Sequence, residues 1–225
     1  MTTPTTLSAP VGRILLENVR LSFAKDLTEA STIAGSDEKA AKFGCGLLLA
    51  PTHPQIKELI TKMQAVALAQ WKDKAPQMYA ALQASNKLAL HDGNTKPKYE
   101  GYPGMLFLSP STPENKPPTL LHTVGGQNVV LTIEQARRRF YSGCYVNANL
   151  DLWAQDNQWG QRINAQLRGV QFLRDGDAFS AGGSSADAGE FGLAPEEGSD
   201  AGDFGAAAAA AAPAADGFAP WASAV

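Results

Sequence analysis

From Cys144 to Phe172 the chain alternates apolar and polar residues with a period of two, and no other run limits the possible folds as strongly. Cys144, Val146, Ala148, Leu150 and Leu152 share one face, and Tyr145, Asn147, Asn149, Asp151 and Trp153 share the other. Successive side chains point to opposite sides only in a strand, so this run is β-structure with one face in a core. After a turn at Asp156-Asn157-Gln158, Ile163, Ala165 and Leu167 face inward while Arg162, Asn164, Gln166 and Arg168 face outward. Gly169 interrupts the alternation before Val170 and Phe172, as expected of a bulge that curls a sheet.

The rest of the body adds strands and two helices. Ile14–Phe23 reads as a strand through Leu16, Val19, Leu21 and Phe23, and Phe43–Leu49 as a second, buried one, with a polar loop over 24–41 between them. Thr52, Pro54 and Gln55 form a capping-box start for a helix that follows Ile56, Leu59, Ile60, Met63 and Val66 to about Trp71. A shorter helix is expected from Pro76 to about Ala84, then an irregular stretch from Leu90 to Gly104 with a turn at Asp92-Gly93-Asn94. Met105–Ser109 and Thr119–Val124 read as strands, Gly125-Gly126-Gln127-Asn128 as a hairpin turn into Val129–Thr132, and Thr132–Tyr141 as a helical turn. Five or so antiparallel strands with helical insertions define a mainly β fold and suit a small closed barrel. A β-sandwich or an α+β sheet satisfies the same pattern.

Charge divides the chain in two. All 19 Lys and Arg lie at or before Arg174, so residues 1–177, with fifteen acids, carry +4, and residues 178–225, with seven acids and no base, carry −7. The net charge of −3 therefore conceals a body able to face phosphates. Beyond residue 177, Gly, Ala, Ser, Pro and acids dominate, and Phe191, Leu193, Phe204, Phe218 and Trp221 are too scattered to share a core. We expect a disordered acidic tail over 178–225, a flexible N-terminus over 1–10 and one domain over 11–177. A purely solvating tail is the simplest role for such a segment, but aromatics beside carboxylates fit a peptide that docks on a basic, aromatic-lined groove. No stretch reaches the roughly 18 apolar residues of a membrane span. Cys45 and Cys144 fall among apolar neighbours and are expected as buried free thiols in a reducing cytoplasm.

On the outward face of the last hairpin, Tyr145 and Trp153 interleave with Arg162 and Arg168, and Trp159 stands near its turn. Rings that stack bases, at about 1–3 kcal/mol each, beside cations that meet phosphates are what single-stranded nucleic acid requires. Arg137, Arg138 and Arg139, together with Lys96, Lys98, Tyr99 and Tyr102 of the irregular stretch, join the candidate nucleic-acid-binding set. The competing reading makes Tyr145 and Trp153 cross-strand packing partners, or rings covered by a loop.

Two runs, Gly143-Cys144-Tyr145-Val146-Asn147-Ala148 and Gly169-Val170-Gln171-Phe172-Leu173-Arg174-Asp175-Gly176, carry a family likeness. With Asn18-Val19-Arg20-Leu21-Ser22-Phe23 and the His91-Asp92-Gly93-Asn94 turn, they resemble phage-type single-stranded DNA-binding proteins over residues 11–177. The resemblance implies an OB-fold barrel with an added helix, an acidic flexible tail, and sequence-independent binding of single-stranded DNA in replication, recombination or repair. It further implies a location in the host cytoplasm and replication proteins as partners of the tail. One departure stands out: such tails end in an acidic-aromatic tip, whereas this chain ends Phe218-Ala219-Pro220-Trp221-Ala222-Ser223-Ala224-Val225. The acidic block Glu196–Phe204 is then the candidate docking segment.

Enzymatic readings find little to rest on. His53, His91 and His122 are isolated, there is no CxxC, P-loop or GxSxG, and neither metal nor cofactor is expected. A metal-dependent nuclease would have to converge Asp92, Glu100, Asp151 and Asp156. A strand-annealing or recombination-mediator protein, or an RNA-binding module of the same fold, would share the residues of a DNA coat.

Overall fold

The alternating run forms the longest pair of strands in a computed structural model that describes residues 10–32 and 40–179. In chain order the strands are β1 (Arg13–Ser22), β2 (Lys42–Gly44), β3 (Gly46–Leu49), β4 (His91–Asp92), β5 (Leu106–Leu108), β6 (Ser111–Pro113), β7 (Thr119–Val124), β8 (Gln127–Val130), β9 (Tyr145–Asn157) and β10 (Gly160–Arg174). The helices are α1 (Ile56–Trp71), α2 (Ala75–Ala84) and α3 (Ile133–Arg139). The fold is mainly β with inserted helices, as the sequence predicts. The N-terminus and the acidic tail beyond Phe179 lie outside the described residues. Among those described, no helix is long and apolar enough to cross a membrane.

One sheet runs in the order β2-β6-β10-β9-β1-β3-β5-β4, with β7 added in parallel to β10 and β8 paired to β7. The β9–β10 ladder keeps the predicted faces: Val146, Ala148, Leu150, Leu152, Ile163 and Leu167 are all buried. Its register slips between Leu167 and Gly169, which is the expected bulge. A side chain at Gly169 would also run into the backbone of Thr119, so the close approach of β7 needs glycine there. The closed barrel is not completed by a ladder among the described residues. The segment ahead of β4 instead meets β10 through one backbone bond, from the Ile163 N–H to the Lys87 carbonyl at 3.0 Å.

α1 covers the inner face, burying Leu59, Met63, Val66, Ala67 and Trp71 against the strands. Leu59 and Met63, fully enclosed, each contribute roughly 1.5–3 kcal/mol by leaving water. The capping box expected at Thr52 and Gln55 does not form. α1 starts at Ile56, and the Gln55 side chain reaches β1 instead, accepting from the Glu17 N–H and donating to the Leu15 carbonyl, each at 2.8 Å. Those bonds serve a bulge in β1, where the register shifts between Leu16 and Val19 and Asn18 takes φ 53°. The capping box appears at α3, where Thr132 and Gln135 exchange side-chain and backbone bonds. Phe43–Leu49 is divided at Cys45, because β2 pairs with β6 while β3 pairs with β1 and β5. β6 itself arises in the Pro-containing segment between the strands expected at Met105–Ser109 and Thr119–Val124. Gly125 and Gly126 supply the two positive φ values of the β7–β8 turn. Cys45 and Cys144 are buried free thiols, and burial pushes both above the ordinary thiol range.

Candidate nucleic-acid interface

The outer face of β9, β10 and β1 holds the hairpin residues, but many of them already have partners. Asp151 accepts from Arg13 Nε at 2.9 Å and Nη2 at 3.2 Å, and from Arg168 Nη1 at 2.9 Å. The Arg13 hydrogen bond, reinforced by Arg168, holds the Asp151 carboxyl below its usual range. The Arg174 guanidinium lies 3.5 Å from the Tyr145 ring centroid and donates to Asn18 Oδ1, which leaves Tyr145 half-buried. Asn147 and Gln171 join Thr123 and Asn128 in an amide network. Toward the hairpin tip this face opens to rings and a free cation. Trp153 is 44% exposed, Trp159 in the turn is 73% exposed, and exposed Arg162 has no side-chain partner among the described residues.

The arginine triplet is dispersed by the helical turn that carries it. Arg137 pairs with Glu29 at 3.0 Å, and Arg139 packs 3.9 Å from the Phe172 ring centroid with its Nη2 against His122. Arg138 alone of the three stays exposed and unpaired among the described residues.

A second surface forms where the irregular stretch folds over β3 and β5. Leu48, Tyr102 and Phe107 make a small core outside the main one, with Met105 and Phe179 packed on it. Tyr102 is 0% exposed and therefore supports this surface, which corrects its placement among residues able to stack a base. Its ring buttresses Tyr99 at 5.8 Å and Phe23 at 6.3 Å, centroid to centroid. Tyr99 (48% exposed) and Phe23 (37%) meet edge to face at 5.3 Å. Lys96 Nζ lies over the Phe107 and Tyr102 rings at 4.5 and 5.4 Å, and burial holds its ammonium below the ordinary range. Lys98 is exposed beside Tyr99 in the chain. Arg20 borders the patch: it donates to the Gly143 and Asp177 carbonyls, and its guanidinium lies 4.5 Å from the Phe179 ring centroid.

Phe23 is the residue that sequence reasoning missed. It follows the last residue of β1 with φ 55° and ψ 46°, a left-handed conformation uncommon for a bulky side chain. The spacing Leu16, Val19, Leu21, Phe23 reveals the β1 bulge by its three-residue step but puts Phe23 on the inner face with Val19 and Leu21, and only the left-handed backbone at Phe23 departs from that pattern.

Three of the four acids of a nuclease reading have separate employment: Asp151 between arginines, Asp156 accepting the Trp71 indole N–H, and Asp92 capping a tight turn. Glu100 is exposed in the irregular stretch, and among the described residues no three His, Cys, Asp or Glu gather as a metal site.

Exposed rings braced by buried ones and flanked by cations, on a curled OB-fold-like sheet, define a class of β-rich proteins suited to single-stranded nucleic acid. Comparison with known proteins narrows that class. The family of the Enterobacter phage Enc34 ssDNA-binding protein matches residues 12–204, and the chain belongs to that family. Protein p50 of Acyrthosiphon pisum secondary endosymbiont phage 1 is 36% identical over 190 residues, 82% of this chain and 97% of that one. The single-stranded DNA-binding protein from bacteriophage Enc34, solved in complex with ssDNA, superposes with a TM-score of 0.58 at 27% identity, covering 75% of this chain and 90% of that one. A C-terminal truncation of the Enc34 protein gives 0.59 at 26% identity, covering 75% and 88%.

Proposed function

We propose that this chain binds single-stranded DNA without sequence preference during phage DNA replication, recombination or repair. The observation that carries this reading is the patch of exposed Phe23 and Tyr99 rings, braced by Tyr102 and flanked by Lys96 and Lys98, in a chain of the Enc34 family. Every base has a π-face, so stacking tolerates any sequence, and cations beside the rings attract whichever phosphates the strand presents. Trp153, Trp159 and Arg162 extend the site at the hairpin tip, with Tyr145 and Arg168 as inner supports and Arg137, Arg138 and Arg139 as a flank of which Arg138 is the contacting member. No step of this function needs a catalytic group.

Residues 11–177 form the DNA-binding domain in this proposal, and 178–225 are a regulatory tail. A tethered segment of −7 beside a body of +4 competes with DNA at high effective concentration. Phe179, where the tail departs, already lays its ring against Arg20 and Leu48 at the edge of the patch. Once DNA displaces the tail, the block Glu196–Phe204 is free to dock replication proteins.

Tryptophan quenching by oligo-dT, oligo-dA, RNA and duplex of equal length tests the reading. Strong quenching by both DNA strands, with RNA and duplex weaker, is the expected result; tightest binding to RNA or duplex overturns it. Removing residues after Phe179 should tighten single-strand binding at low salt, with the gain shrinking as salt screens both competitors. Faster pairing of complementary strands by the protein would favour the annealing alternative.

A further inference from the structure

The gap in the barrel holds a cleft of about 140 Å³. Asn86, Lys87 and His91 line it from the chain leading into β4, and Arg162 and Asn164 line it from β10. Among the described residues no carboxylate belongs to its wall. Lys87 and Arg162 are both exposed, and neither side chain has a partner among the described residues. These cations therefore differ from Arg13, Arg168 and Arg174, whose charges are already answered within the protein.

The cleft is also shaped and placed for one kind of group. Its volume lies well below the roughly 300–1,000 Å³ of pockets that enclose a drug-sized ligand. A cleft of that size admits a small polar group and suits a tetrahedral oxyanion. Asn86 follows α2 with φ 55°, the left-handed conformation asparagine adopts at a helix end, and its Oδ1 accepts from His91 Nδ1 at 3.0 Å. That bond fixes the imidazole, which lies 5.2 Å from Phe107. His91 is thus the last ring of the row that runs from Phe23 through Tyr99, Tyr102 and Phe107. On the opposite wall, Asn164 pairs across the ladder with Trp153, and Arg162 sits two residues from the Gly160 turn. The cleft is where the two ring-bearing surfaces meet.

We propose that the barrel seam binds a backbone phosphodiester of the DNA strand, so that one strand passes from the Tyr99 patch through the seam to Trp153 and Trp159. Lys87 and Arg162 supply the charge, and the Asn86 and Asn164 amides supply hydrogen-bond donors. The inference rests on the single-strand reading above. Its consequence is a length threshold: an oligonucleotide too short to reach the seam gains nothing from it.

The test compares the parent with a Lys87→Ala/Arg162→Ala variant against oligo-dT of increasing length, with salt varied at each length. The shortest oligomers that bind sit on the Phe23 and Tyr99 rings and should show the smallest difference between the two proteins. Above the threshold the parent alone should gain, and the variant's salt slope should be shallower by about 0.7, the value for one phosphate. A Lys57→Ala/Lys74→Ala variant, which removes the same charge from the helical side, should keep the parent's length step. Loss by an equal factor at every length, no loss at any length, or a vanished step in the Lys57/Lys74 control would each overturn the proposal. So would saturable binding of inorganic phosphate, read from the His91 ring resonances, combined with unchanged oligo-dT affinity in the Lys87/Arg162 variant; the cleft would then serve a free anion. If the parent itself binds no oligo-dT, the functional reading fails, and the seam proposal fails with it for that separate reason.

Discussion

The β9–β10 face and the surface over Gly93–Gly104 carry the same residue types and put them to different uses. On the hairpin face, Asp151 holds Arg13 and Arg168, and Arg174 is stacked on Tyr145, so ring and charge are largely consumed by the protein's own contacts. Over Gly93–Gly104 the rings are braced from beneath while Tyr99 and Phe23 stay open, and Lys96 lies over buried rings with no carboxylate paired to it among the described residues. Alternation in sequence tells which side chains leave the core, but not which of them remain available. Availability depends on partners such as Arg13 and Asp151, 138 residues apart.

The sharpest way to break this comparison is to remove the open rings. A Phe23→Ala/Tyr99→Ala variant should lose about 1–3 kcal/mol of oligo-dT binding per base unstacked, roughly 5- to 150-fold each, while its circular dichroism stays that of the parent. Trp153→Ala should fall at the low end of that range, since a single ring near the hairpin tip lacks the support that Tyr102 gives Tyr99. Loss of equal size in both variants would remove the distinction between the surfaces.

Asp151→Asn should convert the closed face into an open one. With Arg13 and Arg168 released, oligo-dT affinity at low salt should rise a few-fold and the salt slope should steepen by up to about 1.4. The same variant reports on stability. Asp151 is held below its unfolded pKa, so its contribution is complete above the ordinary carboxylate value near 4 and is lost as pH falls through its lower folded value. The difference in melting temperature between parent and variant should therefore be greatest at neutral pH and shrink below about pH 4. A difference that grows on acidification contradicts the assignment. The smallest effect is expected from Arg139→Ala: oligo-dT affinity unchanged, with a modest fall in melting temperature as the cation–π contact to Phe172, about 0.5–2 kcal/mol, is lost.

Much of the fold was legible because it rests on local periodicity. The β9–β10 pair, the Gly169 bulge, the Gly125-Gly126 turn and α2 all lie where residue pattern and backbone preference agree. What escaped depends on residues distant in sequence. Gln55 serves the β1 bulge instead of capping α1, β2 and β3 part company at Cys45 because their partners differ, and Phe23 meets Tyr99 across most of the first hundred residues. Candidate cations were recognisable by type, but Arg137, Arg139 and Arg168 have partners that no spacing rule discloses. Tyr102 counts in the sequence as a nucleic-acid contact beside Tyr99, whereas the fold over β5 encloses it.

Photo-cross-linking to oligo-dT carrying 5-iodouracil, with adducts mapped by mass spectrometry, tests the central claim most directly because it reports which rings touch bases. The account predicts principal adducts on Tyr99 and Phe23, with Trp153 or Trp159 joining as the oligomer lengthens. Adducts confined to Tyr145 and the hairpin tryptophans at every length would contradict it and return the binding site to the outer face of β9 and β10.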